Sequence, residues 1–575
     1  MRVHRYPCYE IKSVGLEYRG HSSNVRNLAW TQKDEFLLTT GGPDKCIMQW
    51  RKKDEPGDAD TENFVLKDAD RAIVDSMIGC RFEMPAASGP SFDLPMPWVG
   101  EVEGGAGQSP AGAGGTPGML ASHRLRLEHV YGYSSQRSRN NLFYSYRDDI
   151  VYHAAAVGII YNKPTHSQSF FTEHTDDITC LAVDRTGRFA ITAQRVREGV
   201  ANETTVRVWS VGNGAQLCTL DRVHRGTVNA VSFSDCGKKI AVVGDHYGQS
   251  LLAIYVDGAG AGKGSQAPVK GGSDWSSVVL VAEKITGPQI EYAIQWYPDG
   301  EDASRAAAGG GGLGDYALAT LGDMHIFFWT LSEGGVLSQH YGHFGKAARR
   351  QHQTTSAIVS GTLVTGTVSG ELLRWEGEKC TDAVAAHTKM ITSMHAMMDK
   401  LVSGSMDGKV KVWDGALQCL REFDVQRECI ECIDPHVRAV CFDNKMTKIL
   451  VGTASSEIYE VCFRSGSFTL LQEGHCKHEL WGLGVHPSDP NTFATSGDDN
   501  YTRIYSIKHR KVVKKSNMDI AVRAVAFSAS DRNLMAIGTG GTADKANLID
   551  SGGGFVIIDC ENMDVMHEGR DSKEW

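Results

Sequence analysis

Cys429, Cys432, His436 and Cys441 follow the order C-x2-C-x3-H-x4-C, thiols and an imidazole of the kind that can hold zinc tetrahedrally. The interval between the second cysteine and the histidine is one residue short of the usual knuckle. In addition, Val440-Cys441-Phe442 reads as an inner strand, where a small buried cysteine is ordinary packing. We therefore read these cysteines as structural, and Cys476, between His475 and His478, in the same way. Gly309, Gly311 and Gly314 satisfy G-x-G-x-x-G. The residues after them, YALATLG, form a strand pattern, whereas a pyrophosphate site needs a helix N-terminus there. The row GAGAGKGS around Lys263 lacks the Ser or Thr that must directly follow the lysine of a phosphate loop. The chain has no nucleophile elbow, no H-E-x-x-H and no carboxylate pair in a catalytic setting. The expectation is a protein without enzyme activity, cofactor or metal.

Charge gives a more distinctive candidate. IKHRKVVKKS carries Lys508, Arg510, Lys511, Lys514 and Lys515 with no acid before Asp519. The run falls between one strand and the next, so it should be exposed and could meet an acidic partner as well as serve as a solvated turn. Arg124, Arg126, Arg137 and Arg139 are a weaker second cluster, whose apolar neighbours favour packing of the arginine stems. The formal net charge of −10 argues against a general nucleic-acid binder, which needs a basic surface to displace counterions.

The elements that position these residues are repeats. Ala386 to Asp414 shows the unit in its clearest form: an opening His387, strands around Met390–Met397, Leu401–Ser405 and Val410–Trp413, and a tight turn at Met406-Asp407-Gly408. This resembles one blade of a WD-repeat β-propeller, in which His387, Ser403, Asp407 and Trp413 would form a buried hydrogen-bonded chain that builds structure. Similar strand ends recur at Trp209, Tyr255, Trp329, Trp375, Trp413, Tyr459 and Tyr505, at steps of 46, 74, 46, 38, 46 and 46 residues. A propeller repeat is roughly 40–45 residues, and glycine-rich insertions explain the long step. The expected fold is all-β, with WD-repeat β-propellers: one complete propeller of about seven blades and partial segments at both ends.

Taken in order, Tyr18 to Trp50 is a blade-like unit, with His21, Thr39-Thr40, Asp44 and Trp50 in blade order. We expect residues 1–52 to be the last blade of a preceding unit, since an isolated blade cannot bury its two faces. Residues 53–122, with KKDEPGDADTE and GGAGQSPAGAGGTPG, read as a Gly/Pro linker. Residues 123–517 would hold the main propeller. Residues 518–575 would open a second one, completed by residues beyond Trp575. The inserts RVREGVANET, the glycine-rich row around Lys263 and AGGGGLG read as rim loops. The charged start MRVHRYPCYEIK lacks the apolar stretch of a secretory signal, and the longest apolar run, Ala154 to Tyr161, is far below the ~20 residues that span a bilayer. The 14 scattered cysteines suit free thiols in a reducing compartment. The protein reads as soluble and intracellular, with no membrane partner.

One stretch is more specific than the repeats. Leu127-Glu128, Val130-Tyr131-Gly132-Tyr133, Arg139-Asn140-Asn141-Leu142 and Ile150-Val151-Tyr152 resemble the hydrophobic signature of the echinoderm microtubule-associated-protein-like family. His166-Ser167-Gln168, Glu173 to Ile178 and Glu479 to Leu483 continue the resemblance in order, and GGPDKCIMQW looks like the end of such a unit, which suggests several units in tandem. The resemblance implies a non-enzymatic scaffold binding tubulin or microtubules, with other cytoskeletal or axonemal proteins as neighbours. It places the chain in the cytoplasm, on the cytoskeleton or in a ciliary axoneme. The alternative is a scaffold of an unrelated complex that makes no direct microtubule contact.

Overall fold

A computed structural model describes residues 1–3, 16–53, 124–195, 205–220, 224–258, 275–298, 317–332, 334–529, 533–540 and 553–569. The linker from residue 54, the turn after Arg195, the row around Lys263 and the motif of Gly309, Gly311 and Gly314 lie outside the described residues. The chain divides into two compact units. The smaller comprises Arg2–Glu17 and Lys53–Arg124, and its described part is an antiparallel pairing of Arg2–Val3 with Leu16–Glu17. The larger holds Met1, Tyr18–Lys52 and Leu125–Trp575 and is built of four-stranded antiparallel sheets. Among the described residues no helix is long and apolar enough to cross a membrane.

Each sheet is a blade whose middle strands are covered on both faces. Leu401–Ser405, within the strand Lys400–Ser405, is buried at every position. Its sequence is accordingly a short unbroken run of apolar and small residues, without the alternation of a half-exposed strand. The fourth strands face outward, and Cys419–Asp424 exposes Cys419, Leu420 and Glu422. The aromatic residues that mark the sequence period lie on third strands, such as Trp209 on Val206–Ser210 and Trp413 on Lys409–Asp414. Each fills the seam between blades. Trp209 is wholly buried and stacks on Phe171 of the preceding blade, with centroids 5.1 Å apart and planes within 6°. Such a pair contributes about 0.5–1.5 kcal/mol beyond the area it buries.

Among the described residues, seven blades form a ring. Their inner strands are Phe143–Tyr144, Ile178–Val183, Val228–Phe233, Glu291–Trp296, Gln353–Val359, Ile391–Met397 and Val437–Phe442. From the second on each lies beside the next, the last lies beside the first, and the first blade meets Ile178–Val183 through its second strand, Ile150–Ala154. Every ring blade uses four strands consecutive in sequence, so packing and side chains close the ring, without a strand shared between its ends. At the closure Tyr144 donates to Glu460 (2.8 Å), which also receives the ammonium groups of Lys448 (2.7 Å) and Lys163.

Three further blades form an arc. Its middle blade starts with Leu480–Val485, and that strand lies between Val25–Trp30 of the N-terminal blade and Val522–Phe527 of the last blade. The N-terminal blade takes its fourth strand, Arg124–Tyr131, from the signature stretch. Residues 124–131, assigned from sequence to the main propeller, thus complete the blade formed by 25–53. The ring ends at Phe468–Gln472, and Leu480 to Asn517, assigned to the same propeller, lies in the arc. The physical reason is occupancy. Phe143–Tyr144 already covers the open side of the seventh blade, while Leu480, Phe493 and Tyr505 find a buried partner surface in Phe36, Leu38, Ile47 and Tyr131.

Candidate partner-binding site

The hydrogen-bonded chain read from the 386–414 repeat is present in the structure. His387 lies with Nδ1 3.0 Å from Asp407 Oδ2 and Nε2 2.8 Å from Ser403 Oγ, and Trp413 donates its indole N–H to the same hydroxyl at 2.9 Å. With Nδ1 protonated, the polarity runs in one direction: indole to hydroxyl, hydroxyl to imidazole, imidazole to carboxylate. Burial pushes the Asp407 carboxyl up, but the hydrogen bonds and charge of His387 outweigh it and hold the group well below the usual carboxylate range. His21, Thr39, Asp44 and Trp50 repeat the arrangement in the N-terminal blade. Gln194 takes the place of the aspartate beside His174, Thr192 and Trp209. All these groups are saturated by each other and buried, so they position strands and offer nothing to a ligand.

In the zinc-like motif, Cys429 and Cys432 pack against one apolar cluster beside Glu457, while His436 and Cys441 have other surroundings. Cys429 follows a short helix, Val425–Glu428, and Cys432 Sγ lies 3.6 Å from Ser455 Oγ. His436 faces Asp434 at 2.7 Å, and Cys441 is buried in an inner strand. Among the described residues no group of three His, Cys, Asp or Glu side chains is placed to hold a metal. Burial pushes the Cys429 thiol up to about 11 and Cys441 up to about 12. At neutral pH such thiols keep their protons.

The basic run forms the edge of the arc's middle blade, with Lys511–Asn517 as its outer strand. The structure separates the five cations. Arg510 donates to Glu128 Oε1 at 2.8 Å and to the His166 carbonyl at 2.9 Å. Lys514 donates to the backbone carbonyls of Cys560 (2.8 Å) and Glu561 in the last blade. Lys515 pairs with Glu431 (3.1 Å) and Glu473 (3.5 Å). Of the five, Lys508 and Lys511 are exposed and the other three half-buried. Sequence reasoning could see the run of charge but could not see Glu128, which lies 382 residues from Arg510.

The arginines of the signature stretch also separate. Arg137 is exposed and 3.5 Å from Asp177. Arg139 belongs to a loop that crosses the centre of the ring. Ser138 donates to the Thr179 carbonyl (3.0 Å), the Asn140 N–H donates to Arg438 O (3.1 Å) and Asn140 Oδ1 accepts from Ser393 (2.7 Å). The Arg139 guanidinium lies over the Tyr292 ring, 5.5 Å from its centroid, and burial pulls its pKa down to about 10. The loop so reaches inner strands of four ring blades. Beside it, Pro43, Lys45, Arg137, Trp481, Asp498 and Arg523 help line an open cleft of about 550 Å³. Two guanidiniums cover the Trp481 indole there, and both are committed: Arg26 to Glu479 (2.7 Å) and Arg523 to Asp498 (3.2 Å).

Comparison with known proteins agrees with the signature and the repeats. The HELP motif matches residues 122–159, and the WD domain, G-beta repeat matches 12–51, 164–210 and 378–414. Human echinoderm microtubule-associated protein-like 2 is 28% identical over 476 residues, 80% of this chain and 64% of that protein. Human echinoderm microtubule-associated protein-like 1 is 28% identical over 79% of this chain and 51% of its own length. The chain thus spans less than two thirds of the relatives it matches. Among solved structures, the β-propeller domain of Cps50 (Swd1) from Myceliophteria thermophila covers 57% of this chain at 15% identity, with a TM-score of 0.39. The chain carries a HELP motif and WD repeats and is similar to the echinoderm microtubule-associated protein-like proteins, as the sequence resemblance implied.

Proposed function

We propose that this chain is a non-enzymatic WD-repeat scaffold that associates with microtubules, in the cytoplasmic cytoskeleton or in a ciliary axoneme. The observation that carries the reading is the similarity across 80% of the chain to proteins named as microtubule-associated, with signature and repeats in the same chain. Its consistent supports are the blade hydrogen-bond chains, whose groups are taken up by one another, and the succession of blades, which suits a platform. The proposed contact to the acidic tubulin surface is the edge formed by Lys508 and Lys511, with Arg510, Lys514 and Lys515 fixing the strand that presents them. Other cytoskeletal or axonemal proteins would occupy the remaining faces, with no role for nucleic acid, membrane or cofactor.

Co-sedimentation of the purified chain with microtubules at two salt concentrations tests this. The expected result is pelleting that weakens with salt, and that Lys508→Glu with Lys511→Glu reduces most at low ionic strength, where screening is least. A chain that stays in the supernatant at low salt would replace this reading with that of a scaffold having no direct microtubule contact.

A further inference from the structure

In an up-and-down blade the turn between second and third strands and the link to the next blade emerge at the same end, because successive strands alternate in direction. Tyr247, Ile290, Met324, the segment 342–352 and Val368 all occupy such turns and links, in three consecutive ring blades. They therefore share one rim. Its apolar side chains face water: Tyr247 is 74% exposed, Ile290 51%, Val368 42% and Met324 38%. Tyr247 and Met324 also hold left-handed backbone, at φ 54° and 63°, in tight turns where Gly or Asn fits with less strain.

The same rim is basic. From residue 334 to residue 370 the chain has no Asp or Glu, while Lys346, Arg349 and Arg350 fall within ten residues of one another and are exposed. Among the described residues none of these three cations has a carboxylate partner, unlike Arg510 and Lys515 at the arc edge or Arg26 and Arg523 at the cleft. Charge and apolar surface are joined directly. Arg350 Nε donates to the Met324 carbonyl (2.5 Å), His352 faces Asp323 (2.6 Å), the Asp323 N–H donates to Ile290 O (3.0 Å), and the Val368 N–H donates to His352 O (3.2 Å).

We propose that this rim is a docking surface for an acidic, extended peptide segment of a partner protein that lays an apolar side chain on the Ile290–Met324–Val368 band. Guanidiniums without a carboxylate partner supply forked donors suited to carboxylates. The apolar band adds what charge alone cannot, a preference for a hydrophobic anchor. In a chain of net charge −10, a rim on which Lys346, Arg349 and Arg350 have no carboxylate partner among the described residues, while Asp323 is taken by His352, selects for acidic segments locally. The site is separate from the edge at Lys508 and Lys511 and does not depend on microtubule binding.

Fluorescence anisotropy on the full chain tests it with three probes: a glutamate-rich peptide containing one Phe, the same peptide with Ser for Phe, and a single-stranded RNA of equal charge. The Phe peptide should bind best. The Lys346→Glu, Arg349→Glu, Arg350→Glu variant should lose at least about tenfold in affinity, and Met324→Gly, which suits the turn, about threefold for the Phe peptide only. Lys508→Glu with Lys511→Glu, a charge change elsewhere, should bind as the parent does. Thermal melts confirm folding, and Lys346→Gln with Arg349→Gln asks the same question should the triple variant melt early. Equal binding by the rim variants, equal loss in the control, RNA binding as tight as the peptide, or no difference between Phe and Ser peptides would each overturn the proposal.

Discussion

In the seven-bladed ring every inner strand has a blade on either side, whereas in the three-bladed arc only Leu480–Val485 does. The ring buries the first half of the strand Ile391–Met397 completely, while the corresponding strand of the arc, Val25–Trp30, leaves Leu28 and Trp30 exposed, and the last blade exposes Val565 and Met566. The interiors differ in kind as well. The ring's seams are apolar, and its buried polar chain from Trp413 through Ser403 and His387 ends on the Asp407 carboxylate. The arc's middle blade encloses Arg503, whose guanidinium lies 2.7 Å from Asp499, which in turn lies 3.0 Å from His475. Both sets of blades contain ion pairs, but among the described residues only the arc buries a guanidinium in one and completes a blade with a strand supplied from elsewhere in the chain.

The largest expected effect is in the arc. Asp499→Ala leaves the Arg503 guanidinium buried without its carboxylate, at a cost of about 3–5 kcal/mol. A calorimetric scan should show an arc transition moved to lower temperature and a ring transition left in place. One transition moving as a whole would instead make ring and arc a single cooperative unit. Within the ring, His387→Ala or Ser403→Ala should cost about 1–3 kcal/mol by leaving buried partners unsatisfied, measured by denaturant unfolding. Normal stability in both variants would show that the chain from Trp413 to Asp407 does not bear on the blade.

Acid should reach the ring through its histidines. Burial pulls His153 and His174 down to about 3 and His395 down to about 4. In the unfolded chain these groups take up protons near 6.5, so stability is lost as pH falls below that value and continues to fall toward 4. Glu291 acts in the opposite sense: burial pushes it up to about 7, so it favours the folded state increasingly as pH falls from 7 toward 4.5. Three histidines outweigh one carboxyl. Melting temperature should thus decline below pH 6.5, and more steeply in Glu291→Gln. The smallest effect belongs to the arc's open face, where Leu28→Ser and Trp30→Ser should each change stability by only about 0.5 kcal/mol. Reduced self-association by light scattering would confirm that the face is exposed in solution.

The blade pattern was legible because its causes are local. Turn residues, apolar strands and one aromatic per third strand recur at fixed spacing, so Trp209 to Tyr505 mark real blades. Where a blade joins distant segments, periodicity carries no information, and Arg124–Tyr131 could not be assigned to the N-terminal blade. The basic run at 508–515 was visible as composition, yet the fate of Arg510, Lys514 and Lys515 depends on partners in other blades. The rim at Lys346 to Arg350 was missed because its cations form a short group and its apolar residues come from separate turns. The absence of acids from 334 to 370 was the one signal that could have found it.

The loop from Ser134 to Asn141 imposes an order of events on synthesis. Its partners at Thr179, Tyr292, Ser393 and Arg438 leave the ribosome one after another. The N-terminal blade meets Leu480–Val485 only after more than 400 intervening residues have been made, a delay of roughly 20–90 s at the usual rate of elongation. For that interval the blade at Val25–Trp30 lacks its neighbour on that flank, and the ring assembles around a segment that must already lie at its centre. Contacts of such long sequence separation slow folding. The nascent chain, more than the finished protein, is therefore where a chaperone would be needed.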